Sequence, residues 1–589
     1  MAESSSSTKL NRIEDDRTNE NKNYPMTGAR AVTNSLELQD VEVIFGIIGG
    51  AIMPIYDELG KSKQIEQITT VHEQAAVHAA DGYARVTGKP GVCCATSGPG
   101  ATNMVTGIAN ASMDSSPVVG LTGQVPTGLI GSDAFQEADT RGISDAITKH
   151  NYLVQRPGEI PTAIREAFHL CNTGRPGPVL VDLPKDVQVS SFECDEVEES
   201  HPAPEGYQVN SEVDRDQASK LIQMLQKAEK PLLLTGGGVG ISGASKQLTK
   251  FARDYRIPVT ASLMGLGTYP TDDPLFLGML GMHGTGAANM AISQCDLLVA
   301  IGTRLDDRMT GKVSEFAANA DLVHVDIDPS EIGKIVQPRL GILGDARAVL
   351  NHLLEEMREI DGPETEDWLL KIRKWKNKFP VPKNQEATAL QPQTVVEELD
   401  RLTPQETIVT TGVGQHQMWV ALLYSFSKPR TIITSGGLGT MGFGFPAALG
   451  AKIGAPDRPV VCVTGDGSFQ MNVQELTTAV KYDLDITVVI LRNSYLGMVR
   501  QWQELFFDNH LVETDISDGA PSFAELARVY GASGFRVSKE ANLESKLLQA
   551  LQTDGPTIVE CLVEEKENVF PMVPAGKANQ QFIMENTDV

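Results

Sequence analysis

The sequence predicts an α/β protein made of three doubly wound parallel-sheet domains. Three observations carry that prediction. Short apolar runs bounded by glycine turns alternate with helical patterns in three separate stretches, as expected of parallel sheets with crossover helices. Polar residues recur just beyond those runs, Asp466 after VVCV at 460–463 and Asn493 after ITVVIL at 486–491, where open α/β sheets place their ligands. Finally, 589 residues exceed what one hydrophobic core sustains.

Taken in order, residues 1–24 are polar and charged, lack the apolar centre of a signal peptide, and are expected to form a disordered tail. Residues 25–190 form a first α/β domain. VEVIFGIIGGAIMPIYDEL reads as strand, glycine turn and helix, an Ala-rich helix then starts near His72-Glu73, and GVCCATSGPG leads into a further helix and strand. An acidic linker with HPAPEG covers 191–212. The middle domain, 213–350, opens PLLLTGGGVG, a Rossmann-like start without a full GxGxxG, which by itself is a weak nucleotide signal. Its strands end at Gly302 and Asp326. A second charged linker with one short helix around Trp368 is expected over 351–390, then a third domain over 391–565. There the uncharged stretch 431–451 holds too many Gly, Ser and Thr, plus Pro446, for a lipid-facing helix, and reads as a glycine loop entering a buried helix. Between the strands 460–463 and 486–491 a helix is expected from Asn472 to Lys481, and residues 566–589 read as a tail covering the site.

A net charge of -26 disfavours nucleic acid and anionic membranes as partners. Seven cysteines without a CxxC pair argue against a disulfide framework or a zinc knuckle and suit a reducing cytoplasm, with Cys93-Cys94 as core thiols.

The chemistry concentrates at two places. Asp466 offers a carboxylate and Asn493 a carbonyl, hard oxygen ligands of the kind Mg²⁺ takes sparingly, completing its octahedron with phosphate and water. Gly465 and Gly467 permit close approach of a diphosphate. Either fragment alone is an ordinary turn or strand end; together across one strand–helix–strand unit they point to a metal–diphosphate site. Glu73, in the first turn of its helix, suits the helix dipole, yet its small apolar neighbours Ala75, Ala76, Val77, Ala79 and Ala80 would leave its carboxylate partly desolvated and able to hold a protonated ring nitrogen.

GDG at 465–467 followed by Asn493 resembles the signature of thiamine-diphosphate enzymes, with Arg492 standing where that family often has a first Asn. HExxAxxxAxGYAR at 72–85 is similar to the family's pyrimidine-binding domain. The resemblance implies that Glu73 hydrogen-bonds N1′ of the aminopyrimidine. It also implies that the main-chain carbonyl of Tyr495 joins Asp466 and Asn493 on the metal, and that Met418 wedges under the cofactor, although Met418 read alone is simply core. Gln415, His416, Gly439, Met441, Gly467, Ser468, Gly497 and Met498 would complete the thiamine-diphosphate site.

Within this family the chain resembles the acetohydroxyacid synthases, on AFQEAD (134–139), SDAITKHNYLV (144–154), RPGPVLVDLPKDVQ (175–188), TRLDDRMTG (303–311), GQHQMW (414–419) and LGMVRQW (496–502). That resemblance implies FAD of structural role in the middle domain, on Arg175, Gly236, Gly237, Gly238, Ser262, Leu263, Leu280, Gly281, Met282, His283, Gly302, Thr303, Arg304, Asp306, Asp326, Ile327 and Asp345. The reaction implied is decarboxylation of pyruvate and condensation with a second pyruvate or 2-oxobutyrate. Arg308 suits the acceptor carboxylate, because guanidinium binds carboxylates bidentately; an ion pair with Asp306 or Asp307 is its plain alternative. Trp502, Met498 and Val499 match the acceptor pocket, and Gln136, near Phe135 and Gly49-Gly50-Ala51, the donor side. Lys185 and Lys149 face the entrance or are solvated surface lysines. The family pairs Glu73 of one subunit with the metal site of another, implying a homodimer or dimer of dimers, with a separate regulatory subunit as a further partner. Pyruvate oxidase and the FAD-free catabolic acetolactate synthase are the neighbouring activities, and a non-catalytic assembly partner is the alternative of another class.

Overall fold

The computed structural model describes residues 25–193, 203–204, 206–209, 213–383 and 389–585. The tail 1–24 and most of the linker 191–212 lie outside the described residues. Three six-stranded sheets, each wholly parallel, form the body. The first runs Glu66–Thr69, Val43–Gly46, Gly91–Ala95, Val118–Gln124, Val179–Pro184, His150–Leu153. The middle sheet runs Phe276–Met279, Val259–Ala261, Pro231–Thr235, Leu297–Ile301, Asp321–Asp326, Leu340–Leu343. The third runs Ile432–Ile433, Ile408–Thr411, Val460–Gly465, Ile486–Arg492, Thr557–Leu562, Ser533–Val537. Central strands such as VVCVTG are buried along their whole length, which is why they read as continuous apolar runs: helices cover both faces. The first and third sheets share one strand order, whereas the middle sheet has the order 3-2-1-4-5-6 of dinucleotide-binding folds. In each sheet the order reverses beside the first strand, opening a crevice at the carboxyl edge. Among the described residues no helix is long and apolar enough to cross a membrane.

The first and third domains meet through the helices Glu73–Thr87 and Gly444–Gly454. A Cβ added at Gly450 would stand 1.7 Å from the Ala79 carbonyl oxygen, and one at Gly82 2.2 Å from that of Ala447. Each helix therefore offers a glycine to the other's backbone. Beside this contact Arg85, on the first helix, is paired with Asp81 at 2.6 Å and Asp114 at 3.0 Å and donates to the Thr434 carbonyl at 2.7 Å. Asp114 in turn accepts the backbone N–H of Gly436 and Gly437, and Asn110 accepts the hydroxyls of Ser435 and Thr440. Removing one member of such a buried ionic set costs about 3–5 kcal/mol.

Two expectations are revised and two are made definite. The helix expected from Asn472 begins at Asp466 and is broken into Asp466–Gln470, Val473–Glu475 and Leu476–Lys481. It breaks where side chains serve other elements: Asn472 donates to Gly442, and Glu475 accepts the N–H groups of Val71 and His72. The charged stretch 351–390 contains the end of the helix Ala346–Glu356 and all of Glu366–Lys378, which is no short linker helix. Trp368, Ile372 and Trp375 at i, i+4 and i+7 bury one face against the middle domain, and Trp368 Nε1 donates to the Pro231 carbonyl. Lys149 is exposed, as its surface alternative had it, and its ammonium donates to the Leu170 and Thr173 carbonyls at the end of the helix Ile160–Asn172. Residues 566–585 form a strap, bonded to the third domain through Glu567 and Val569 and to the middle domain through Val573, Lys577 and Asn579.

Gly450→Ala is expected to lower the calorimetric melting temperature, because overpacking costs about 1–3 kcal/mol. At an exposed helical position the same change stabilises by about 0.5–1 kcal/mol. A raised melting temperature would show that the two helices are not in backbone contact.

Candidate active site

At the carboxyl edge of the third sheet, Asp466 follows the strand Val460–Gly465 and is buried. One carboxylate oxygen accepts from the Gly467 N–H at 3.0 Å, the other from Ser494 at 2.8 Å, tying two neighbouring strand ends together. Burial raises its carboxyl to about 6. Asn493 ends the adjacent strand; its Oδ1 accepts from the Tyr495 N–H at 3.1 Å and its Nδ2 donates to Gln415 Oε1 at 3.2 Å. Ser494 between them takes a left-handed φ of 61°, which turns the chain sharply at this point. Among the described residues there is no cluster of three or more His, Cys, Asp or Glu suited to a metal. One carboxylate with neutral oxygens is instead the sparse set that Mg²⁺ accepts alongside phosphate.

Asp466, Gly467, Ser468, Asn493, Tyr495, Gln415, His416, Gly497, Met498 and Met441 line a cavity of about 70 Å³. His416 is buried and neutral, lowered to about 3 by desolvation, and its Nε2 has no partner among the described residues. An orphaned imidazole nitrogen in such a cavity fits an anionic ligand. Gly497 is required, since a Cβ there would stand 2.1 Å from Gln415 Oε1. Ser468 Oγ accepts from Val413 and Gly442, so it organises the surrounding loops.

Met498, Met441, Val413, Gly414 and Val499 also line a second cavity of about 590 Å³, so the two are parts of one site. It runs along the carboxyl edge of the middle sheet. Arg175, Gly237, Gly238, Ser262, Leu263, Leu280, Met282, His283, Gly302, Thr303, Arg304, Asp306, Asp326, Ile327 and Asp345 line it, as do Met418, Gly439, Arg308 and Trp502. Gly236 and Gly281 are the exceptions. A Cβ at Gly236 would press on the Gly302 carbonyl at 2.2 Å, and at Gly281, with φ of 112°, on that of Arg308 at 2.4 Å. Both glycines serve backbone packing. His283 is buried with neither ring nitrogen partnered among the described residues, and burial also raises the Asp326 and Asp306 carboxyls. These groups, on the 3-2-1-4-5-6 sheet, fit a dinucleotide. Arg175 is engaged by Glu331 at 2.7 Å and Asp328 at 3.2 Å, linking the first domain to the middle one.

Arg308 lies 5.5 Å from the centre of the Trp502 ring and touches Met282 Sδ at 3.4 Å. Asp307 is 3.8 Å away, and both partners are more than half exposed, a pair worth little in water. The guanidinium is therefore held by the indole face at the wall of the larger cavity.

Glu73, Gln136 and Lys185 line neither cavity. Glu73 is half-buried and accepts from Asn103 Nδ2 at 2.9 Å. Gly98 lies against Gln136, and Gly100 against Glu73, so these residues gather at the carboxyl edge of the first sheet. Gln136 and Lys185 are exposed, and Phe135 beside them is 88 % exposed. The sequence reading missed Glu475, which anchors the backbone just before Glu73, and Asp114, Asn110 and Gln501. Their one signal is a polar side chain on an otherwise apolar face.

Three family models match: the N-terminal thiamine pyrophosphate binding domain over residues 26–143, the central domain over 218–353, and the C-terminal thiamine pyrophosphate binding domain over 412–561. The chain belongs to the thiamine pyrophosphate enzyme family. It is 46% identical over 567 residues to the acetolactate synthase large subunit of Cyanidium caldarium, covering 95% of this chain and 96% of the relative. It is 48% identical over 565 residues to that of Corynebacterium glutamicum, covering 95% and 90%. To the acetolactate synthase isozyme 2 large subunit of Escherichia coli (strain K12) it is 45% identical over 560 residues, covering 95% and 99%. The chain is a member of the acetolactate synthase large-subunit family.

The raised Asp466 carboxyl predicts a pH profile for cation binding. Only ionised Asp466 binds a cation, so Mg²⁺ affinity measured calorimetrically with thiamine diphosphate should be level above pH 6 and fall about tenfold per unit below it. Without cation, the raised carboxyl makes the fold less stable as pH climbs from about 4 to about 6, a dependence that Asp466→Asn should abolish. Affinity that stays level down to pH 5 would remove Asp466 from the set.

Proposed function

We propose that the chain decarboxylates pyruvate and joins the two-carbon unit to a second pyruvate or to 2-oxobutyrate, giving 2-acetolactate or 2-aceto-2-hydroxybutyrate for valine, leucine and isoleucine synthesis. The observation that carries this reading is the continuity of the site: the Asp466–Asn493–Tyr495 oxygen set shares a wall with the cavity in which Arg308 lies over Trp502. Thiamine diphosphate, when bound, supplies the electron sink that decarboxylation needs.

The remaining roles belong to this chain's residues. Asp466, Asn493 and the Tyr495 carbonyl hold Mg²⁺, and His416, Gln415 and the glycine turns around Gly439, Gly467 and Gly497 receive the diphosphate. Met418 and Met441 give the cofactor an apolar support. The middle-domain residues hold FAD, whose role is structural because the reaction has no net redox change. Arg308 binds the acceptor carboxylate, and Trp502 sets the room for its side chain. Glu73, fixed by Asn103, provides the carboxylate for the pyrimidine. It lines neither cavity of its own chain, which supports a homodimer in which each subunit lends Glu73, Gln136 and Lys185 to its partner's site. A small regulatory subunit and a cytoplasmic location complete the proposal.

The test is incubation of pure protein with pyruvate, Mg²⁺, thiamine diphosphate and FAD, with acid conversion of the product to acetoin scored with and without 2-oxobutyrate. Peroxide in place of acetoin would make the chain a pyruvate oxidase, and full activity from a colourless, flavin-free protein would refute the FAD assignment. Arg308→Ala should lower kcat/KM about 10- to 100-fold, the worth of a hydrogen bond to a charged group. Glu73→Gln should reduce turnover while leaving Mg²⁺ binding unchanged.

A further inference from the structure

A side-chain amide has a donor end and an acceptor end of the same shape, so its partners decide which way it points. Gln501, fully buried on the helix Gly497–Phe506, clasps Val569 of the C-terminal strap, and its Nε2 also donates to Met572 Sδ at 3.5 Å. Its Oε1 accepts from the Val569 N–H at 2.9 Å and its Nε2 donates to the Val569 carbonyl at 3.0 Å. A backbone N–H can only donate and a carbonyl only accept, so the polarity of Gln501 is fixed. The same Oε1 accepts from Gln415 Nε2 at 3.0 Å, and the Glu567 carbonyl accepts from that nitrogen at 3.0 Å as well. With its nitrogen turned to the strap, Gln415 presents Oε1 to Asn493 Nδ2 at 3.2 Å. Asn493 is left with Oδ1 beside the Tyr495 N–H.

We propose that Gln501 is a positioning residue for the cation site. It passes the polarity of the Val569 backbone through Gln415 to Asn493, so that the oxygen of Asn493, and not its NH₂ group, faces the divalent cation. The inference rests on the assignment of Asn493 to that cation. It makes the strap part of the metal site although no strap residue is a ligand. An Asn493 amide turned the other way would aim its N–H groups at a positive charge. Partners that orient metal ligands typically change metal affinity about 10- to 100-fold when removed.

The experiment titrates the full-length protein with Mn²⁺ at saturating thiamine diphosphate and reads free Mn²⁺ by electron paramagnetic resonance. Gln501→Leu should weaken Mn²⁺ binding about tenfold or more. Gln501→Glu, which keeps the acceptor for Gln415, should weaken it less. In an Asn493→Ala background, Gln501→Leu should add nothing, because the amide that it orients is gone. Unchanged Mn²⁺ affinity in Gln501→Leu, or an equal loss with and without Asn493, overturns the relay. Wild-type affinity in Asn493→Ala alone overturns the cation assignment itself, a separate failure. If Gln501→Leu does not fold, as judged by circular dichroism, Gln501→Glu carries the same double-mutant comparison.

Discussion

The backbone contact between the helices Glu73–Thr87 and Gly444–Gly454 sets the geometry on which the rest of the chain depends. Reciprocal glycines bring the helices together, and the buried Arg85–Asp81–Asp114 set locks them against sliding. Because Asp114 and Asn110 bond directly to Gly436, Gly437, Ser435 and Thr440, the same interaction shapes the loop that carries Gly439 and Met441 into the site. Glu475 adds a second tie, from the GDG unit of the third domain to the residues before Glu73. The GDG turn and the helix that carries Glu73 are thus tied together within one chain, although they serve different sites in the proposed dimer.

Desolvation is what makes the site receptive. Asp466 and Asp326 are buried and Asp306 half-buried, all three carboxyls raised by desolvation, and His416 and His283 are buried imidazoles held neutral. Groups kept out of water without full pairing are satisfied when charge or hydrogen-bond partners arrive with a ligand. The fold offsets their cost elsewhere, in the three apolar sheet cores and in networks such as that of Arg500, which bonds Glu504, Glu567 and Asn568.

The fold class was legible because strands covered on both faces must be apolar throughout, and because glycine marks where each ends. Asp466 and Asn493 were legible for a related reason: topology forces the ends of adjacent parallel strands to one edge, so a carboxylate and an amide there fall together. What escaped depended on distant partners. Asp114 bonds a residue 323 positions away, and Glu475 one 403 positions away, separations that local pattern cannot reveal. The helix around Trp368 was expected, but its length and its packing on the middle domain were masked by its lysines and arginines, which form the solvated face of an amphipathic stripe. Gly236 and Gly281 pack against the carbonyls of Gly302 and Arg308, close approaches that a local glycine pattern does not show.

The strap gives the chain an order of assembly. During synthesis the first and middle sheets have their residues long before Glu567, Val569 and Val573 are made, so those two domains are able to fold as units first. The third sheet waits for its strand Thr557–Leu562, just ahead of the strap. The amides behind Asn493 nevertheless find their partners only when the carboxyl terminus arrives and threads across two domains. A chain stopped between Leu562 and Glu567 would carry the strands of all three sheets while Gln415 and Gln501 lacked these anchors.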